Sequence, residues 1–171
     1  MLRKVEGRQH LGRNFEPKEI LFALQSQVAV ETIVGNPQFL DGDTLHFVGR
    51  GERVRFEGVD APEAQQCCLD AAGKQYICGQ SASEALRAFV GSRTVRCKGR
   101  QRGRYGRSIA VCFDSDGTNL NEWLVSQAWA LAYRRYSKRY IPQEQTALQE
   151  RRGIWAGGHF SELRCPNLTD I

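Results

Sequence analysis

The chain has 171 residues, the length of one ordinary domain, with 41% apolar and 25% charged residues, a globular balance that excludes a disordered chain. No run of eighteen or more apolar residues occurs, which excludes a membrane-spanning helix. Lys and Arg number 24 against 19 Asp and Glu, and the resulting net charge of +5 favours polyanionic partners, nucleic acid foremost.

Residues 1–30 have no hydrophobic period. Arg3, Lys4, Arg8, Arg13 and Lys18 resemble a charged leader, but the apolar stretch Ile20–Leu24 is too short for a clean secretory segment. The segment reads as an N-terminal extension or a degenerate signal segment. One domain follows over 31–156, then a tail over 157–171 in which Cys165 offers a staple.

The early part of the domain is strand-rich. Strands are expected at Thr32–Val34, at Phe39 and Leu40, and in a hairpin of Leu45–Val48 with Arg53–Val59 across Gly49-Arg50-Gly51-Glu52. Two more are expected at Thr94–Cys97 and Ile109–Phe113. Ser81 with Glu84 predicts a capping box, with Ala85, Leu86, Phe89 and Val90 at helical spacing before the stop at Gly91. Asn119 with Glu122 opens a second helix carrying Leu120, Trp123, Leu124 and Ala128. Pro142 fits the first turn of a third, ending at Gly153. Strands first and helices late predict an α+β domain, and five short strands suit a partly open barrel of the OB type.

Cys67, Cys68, Cys78, Cys97, Cys112 and Cys165 contain no C-x-x-C pair, which argues against a zinc site. Cys97 and Cys112 flank a Gly/Arg-rich turn and could face each other across a hairpin. Cys67 or Cys68 lies shortly before Cys78 in one loop. Each could equally be a small buried apolar side chain. The cysteine count points to an oxidising compartment, periplasmic or secreted; the weak leader leaves a cytoplasmic alternative.

Four segments carry chemistry. In Asp41-Gly42-Asp43-Thr44, a bend at Gly42 can project Asp43 from a strand end, although a plain Asp-Gly turn has the same pattern. In Arg55-Phe56-Glu57-Gly58-Val59-Asp60-Ala61-Pro62-Glu63, one cation and several carboxylates lie close in sequence. A straight strand would hold Arg55 and Asp60 about 17 Å apart, so sharing a site requires the chain to bend and Arg55 to reach along the groove, and Gly58 and Pro62 allow such a bend; otherwise the pair is an exposed salt bridge at a strand end. In Arg100-Gln101-Arg102-Gly103-Arg104-Tyr105-Gly106-Arg107, guanidinium forks suit phosphate oxygens and Tyr105 could stack on a base, unless the run is a solvated hairpin tip. From Tyr133 to Tyr140, basic and aromatic residues interleave, as in a single-strand groove or a helix connection. A hard cation on oxygen ligands, arginines on the phosphate and a carboxylate on water together make a phosphodiester-hydrolysing set.

The D-G-D-T, R-x-x-G-x-D-x-P-E and Y-G-R runs, in this order and spacing, resemble the staphylococcal nuclease-like (thermonuclease) family over about Glu31 to Trp155. Gln127-Ala128-Trp129-Ala130-Leu131-Ala132-Tyr133 and Arg152-Gly153-Ile154-Trp155 are similar to it as well. The resemblance implies a five-stranded OB barrel with three helices. It implies calcium-dependent endo- and exonucleolytic cleavage of DNA and RNA that leaves 3′-phosphate ends, and the partners expected for the chain are DNA and RNA, single strands preferred, bound by a monomer. It implies Asp43, Asp60 and the Ala61 carbonyl as Ca²⁺ ligands and Glu63 as general base or positioner of water. Arg55 and Arg107 would clamp the scissile phosphate, and Tyr105, Tyr133 and Arg104 would bind substrate. Gly103 departs from the family, which often has an acidic residue there. Two other readings are a non-catalytic OB-type nucleic-acid binder and an accessory protein of bacterial exopolysaccharide biosynthesis.

Overall fold

The computed structural model describes residues 31–102, 106–157 and 163–164. In chain order its strands are β1 (Glu31–Gly35), β2 (Gln38–Phe39), β3 (Thr44–Phe47), β4 (Glu52–Phe56), β5 (Val59–Asp60), β6 (Gln66–Leu69), β7 (Gln75–Ile77), β8 (Val95–Arg102), β9 (Ser108–Phe113), β10 (Leu131–Ala132) and β11 (Leu163–Arg164). The helices are α1 (Cys78–Val90), α2 (Leu120–Ser126) and α3 (Ile141–Gln149).

The principal sheet has the order β1-β8-β9-β4-β3-β2, with β4 and β9 parallel and the other neighbours antiparallel. Five of its strands are four residues or longer; β2 is a two-residue addition at the edge. The curled sheet with three helices is the OB-type α+β arrangement read from the sequence. Alternation drives it: Val54 and Phe56 of β4 are buried, while Arg53 before them is exposed and Arg55 between them is half-buried on the opposite face. Helix α1 buries Ala82, Leu86 and Val90, spaced by four, with Leu86 and Val90 in the core beside Val54, Phe56 and Leu45.

Cys97 and Cys112 stand opposite each other on β8 and β9, with Cα atoms 4.0 Å apart, and are disulfide-bonded. Cys68 is bonded to Cys78, and Cys67 is also disulfide-bonded. Cys165 lies outside the described residues, as do residues 1–30. Among the described residues no helix is long and apolar enough to cross a membrane.

Several boundaries differ from the sequence reading. The run Arg53–Val59 is not one strand, because Glu57 and Gly58 turn the chain between β4 and β5. Residues 66–77, read as a loop, form the β6–β7 hairpin, and Leu163–Arg164 of the tail pair with β6. Helix α1 begins at Cys78, before the expected capping box, and Ser81 Oγ donates instead to the Ile77 carbonyl. The apolar spacing Cys78, Ala82, Leu86 extends the buried face one turn earlier than the cap signal allows. Helix α2 ends at Ser126, so Ala128 lies beyond it with φ 56°. Helix α3 ends at Gln149, and Gly153 opens a short 3-10 turn.

Asn121 is fully buried and joins three backbone segments. Its Oδ1 accepts the Cys112 N–H, and its amide donates to the Glu57 and Ala110 carbonyls. Replacing Asn121 with Ala strands these groups and is expected to destabilise the fold by roughly 3 kcal/mol. A urea midpoint unchanged from the wild type would contradict this account.

Candidate active site

The sheet brings one cluster together at the end of β3 and β4. Thr44 pairs with Arg55 in the β3–β4 register, so Asp43 precedes the position opposite Arg55. The Arg55 guanidinium forks onto Asp43, Nη1 to Oδ1 at 3.1 Å and Nη2 to Oδ2 at 2.9 Å. Nη2 also reaches Asp60 Oδ1 at 2.9 Å.

That second contact requires the chain to reverse within five residues. Gly58 supplies the reversal with φ +71°, a conformation that side-chain-bearing residues rarely adopt. The Tyr133 N–H donates to the Gly58 carbonyl at 2.9 Å, and β10 pairs Leu131 with Asp60. The site thus sits between the β4–β5 turn and β10. Glu144 secures β10 from α3, accepting the Ala132 N–H at 3.0 Å and pairing with Arg134.

Asp43 is almost fully buried, and its carboxylate accepts further bonds from Thr44 Oγ1 at 3.0 Å and the Ala61 N–H at 3.3 Å. Burial pushes its pKa up to about 6, against the opposing pull of Arg55 and with the nearby Asp41 charge adding to the rise. Folded Asp43 therefore holds its proton more tightly than the unfolded chain does. Its contribution to metal-free stability is fully present below pH 3.8 and is lost as pH rises through about 6. The loss is of the order of 3 kcal/mol. Asp43→Asn is expected to stabilise the metal-free protein at pH 8 and to leave it nearly unchanged at pH 3.5. Urea unfolding of both proteins in chelator checks this; a wild-type-like pH slope in the variant would contradict it.

Tyr133 places its ring with the centroid 6.0 Å from the Arg55 guanidinium, and Tyr136 packs edge-on against it at 4.8 Å. Arg107 is half-buried and immediately precedes Ser108, which pairs with Val54, so β9 brings it beside the same stretch of β4. Glu63 is exposed, three residues beyond Asp60. Arg104 and Tyr105 lie outside the described residues, as does Gly103. Asp43, Arg55, Asp60 and Ala61 are thus in direct contact, Tyr133 adjoins them, and Glu63 and Arg107 approach from the flanking segments.

Asp43, Asp60 and the Ala61 carbonyl are hard oxygen donors, the class that suits Ca²⁺. Among the described residues no group of three or more His, Cys, Asp or Glu side chains gathers to hold a metal, and Arg55 spans the two aspartates. The donor set fits a hard cation in chemistry, as part of a coordination sphere that water or substrate oxygens complete. The desolvated Asp43, held above its ordinary range next to Asp41, is a carboxylate that added positive charge would stabilise.

Sequence reasoning missed two supports of this site. Gln66 binds the backbone of Glu63, and Glu144 fixes the strand that carries Tyr133. Their partners are 3 and 12 residues away, and neither lies in a recognisable motif.

A family model for staphylococcal nuclease homologues matches residues 53–157, which include Arg55, Asp60, Glu63, Arg107 and Tyr133, while Asp43 lies just before the matched stretch. The succinoglycan biosynthesis protein ExoI of Rhizobium meliloti (strain 1021) is 42% identical over 129 residues, 74% of this chain and 66% of that relative. An uncharacterized endonuclease of Escherichia coli O157:H7 is 30% identical over 142 residues, 80% of this chain and 86% of the relative. The micrococcal nuclease of Shigella flexneri is 28% identical over 139 residues, 73% of this chain and 74% of the relative. With its curled sheet, three helices and matched span, the chain belongs to the staphylococcal nuclease homologue family.

Proposed function

We propose that the protein is a calcium-dependent nuclease that hydrolyses phosphodiester bonds of DNA and RNA, preferring single strands, and leaves 3′-phosphate ends. The observation that carries this reading is the Arg55 guanidinium held between Asp43 and Asp60 beside an aromatic face. Asp43, Asp60 and the Ala61 carbonyl would hold the cation. When bound, Ca²⁺ neutralises phosphate charge and makes phosphorus easier to attack.

The chain's own groups do the rest. Glu63 orients a water molecule and accepts its proton as the oxygen attacks phosphorus. Arg55 and Arg107 donate to the phosphate oxygens, whose charge grows in the transition state. The bond to the 5′ oxygen breaks, that oxygen leaves as a hydroxyl with a proton from solvent, and the phosphate stays on the 3′ side. Tyr133, with Tyr105 and Arg104, receives the adjoining nucleotide. The exposed Arg134, Arg135, Lys138 and Arg139 extend a cationic path for the backbone, and their contribution weakens with salt. The disulfides suit a periplasmic or secreted location.

A second reading draws on the relative named for succinoglycan biosynthesis: an accessory role in exopolysaccharide production. Cleavage assays decide between them. The nuclease reading expects single-stranded DNA to be degraded by the purified protein; binding without cleavage supports a non-catalytic role.

A further inference from the structure

Glu63 is exposed, and an exposed carboxylate serves a reaction well only where its backbone is held. Here the backbone is held from two sides. The Glu63 N–H donates to Gln66 Oε1 at 3.0 Å, and the Glu63 carbonyl accepts the Gln66 N–H at 2.8 Å, closing a tight turn. Gly79 abuts the same carbonyl so closely that a Cβ at 79 would sit 1.8 Å from the Glu63 oxygen.

Both supports converge on one disulfide. Cys78 is the neighbour of Gly79, and Cys68 lies two residues after Gln66. Their bond ties β6 to the first residue of α1, and both sulfurs belong to fully buried residues. Cys78 Sγ also lies 3.4 Å from the Gln66 carbonyl. The bridge therefore fixes the spacing between the segment that bonds Glu63 through Gln66 and the helix start that packs on it through Gly79. Among the described residues the Gln66 Nε2 is buried without a hydrogen-bond partner, and the Oε1 bond to Glu63 is the polar contact that orients this amide.

We propose that Gln66 and the Cys68–Cys78 bridge are positioning elements for Glu63, so that cleavage requires the bridge to be closed. The proposal rests on the nuclease reading and on the role assigned there to Glu63. Opening the bridge takes two electrons and two protons from a dithiol such as dithiothreitol. The Sγ–Sγ bond becomes two thiols and the dithiol closes into its own cyclic disulfide. The turn then loses its covalent link to α1, and the carboxylate no longer dwells where water must be held. A chain made in a reducing compartment is accordingly slow on nucleic acid and gains activity on oxidation.

The test measures kcat and KM on single-stranded DNA with Ca²⁺, below the unfolding temperature, for the wild type and four variants. These are Glu63→Gln, Gln66→Met, Gln66→Glu and the double variant Cys68→Ala with Cys78→Ala. The double variant and Gln66→Met are expected to lose about tenfold to a hundredfold in kcat with KM unchanged. Gln66→Glu keeps an acceptor for the Glu63 N–H and is expected to recover most of that loss. If the double variant does not fold, Gln66→Met carries the decision. Full kcat in Gln66→Met and the double variant, with Glu63→Gln inactive, overturns the positioning proposal and leaves the nuclease reading standing. Glu63→Gln as fast as the wild type overturns the role of Glu63 and the positioning proposal with it, whereas a wild type that does not cleave overturns the nuclease reading.

Discussion

Glu63→Gln is expected to slow cleavage of single-stranded DNA by about 10²–10⁴-fold while the melting temperature stays within a degree or so of the wild type. The two halves of this result have separate causes. Gln keeps the size of the side chain but cannot accept the proton of an attacking water, and general-base contributions fall in that range. Stability is spared because Glu63 is exposed and is bonded to Gln66 through its backbone N–H and carbonyl rather than through its carboxylate. KM is expected to change little, since the carboxylate acts on water rather than on the nucleotide. Steady-state kinetics with calorimetry on the same samples checks both halves. A variant within tenfold of the wild type in kcat contradicts the role of Glu63.

Arg55→Lys is expected to lower kcat by about 10²–10³-fold, although the charge is conserved. The fork reaches both oxygens of Asp43 and extends to Asp60, a span that one ammonium cannot cover. The arginine is asked to do two things at once: hold the two aspartates in place and offer donors to phosphate. Lysine supplies a point charge for one of them. The buried Asp43 then loses part of the attraction that opposes its desolvation, so the variant is expected to be less stable than the wild type at pH 8 and nearly equal to it at pH 3.5. Parallel kinetics and urea unfolding at the two pH values measure this. Wild-type turnover in Arg55→Lys contradicts a bidentate role.

Much of the site was legible because its residues lie in short local runs. Asp43 in D-G-D-T and Arg55 with Asp60 five positions later could be named before any contact was known, and of the two residues that could bend the chain between or beside them, Gly58 and Pro62, the structure turns at Gly58. The helix starting at Asn119 was legible for a similar reason: its Oδ1 accepts the Glu122 N–H, a cap written within four residues. The capping box at Ser81 failed because local chemistry competed with burial. Cys78 and Ala82 extend the apolar face one turn earlier, and Ser81 bonds back to Ile77 inside the helix. The β6–β7 hairpin was hidden because its residues show no clean alternation, and Cys67 and Cys68 are both buried. The sequence left Cys67 and Cys68 as alternative partners for Cys78, and in the structure Cys68 is the one bonded to it. Asn121, which bonds to β9 and the Glu57 carbonyl, could not be found from the sequence, since its partners lie up to 64 positions away.

The most direct test incubates the purified, oxidised protein with single-stranded DNA, in Ca²⁺ or in an excess of chelator, and identifies the product ends by mass. Rapid loss of the strand in Ca²⁺, no loss in chelator and fragments ending in 3′-phosphate is the predicted result. A protein that binds the strand and leaves it intact with every divalent ion tried contradicts the assignment of Asp43, Arg55, Asp60 and Glu63 to phosphodiester hydrolysis.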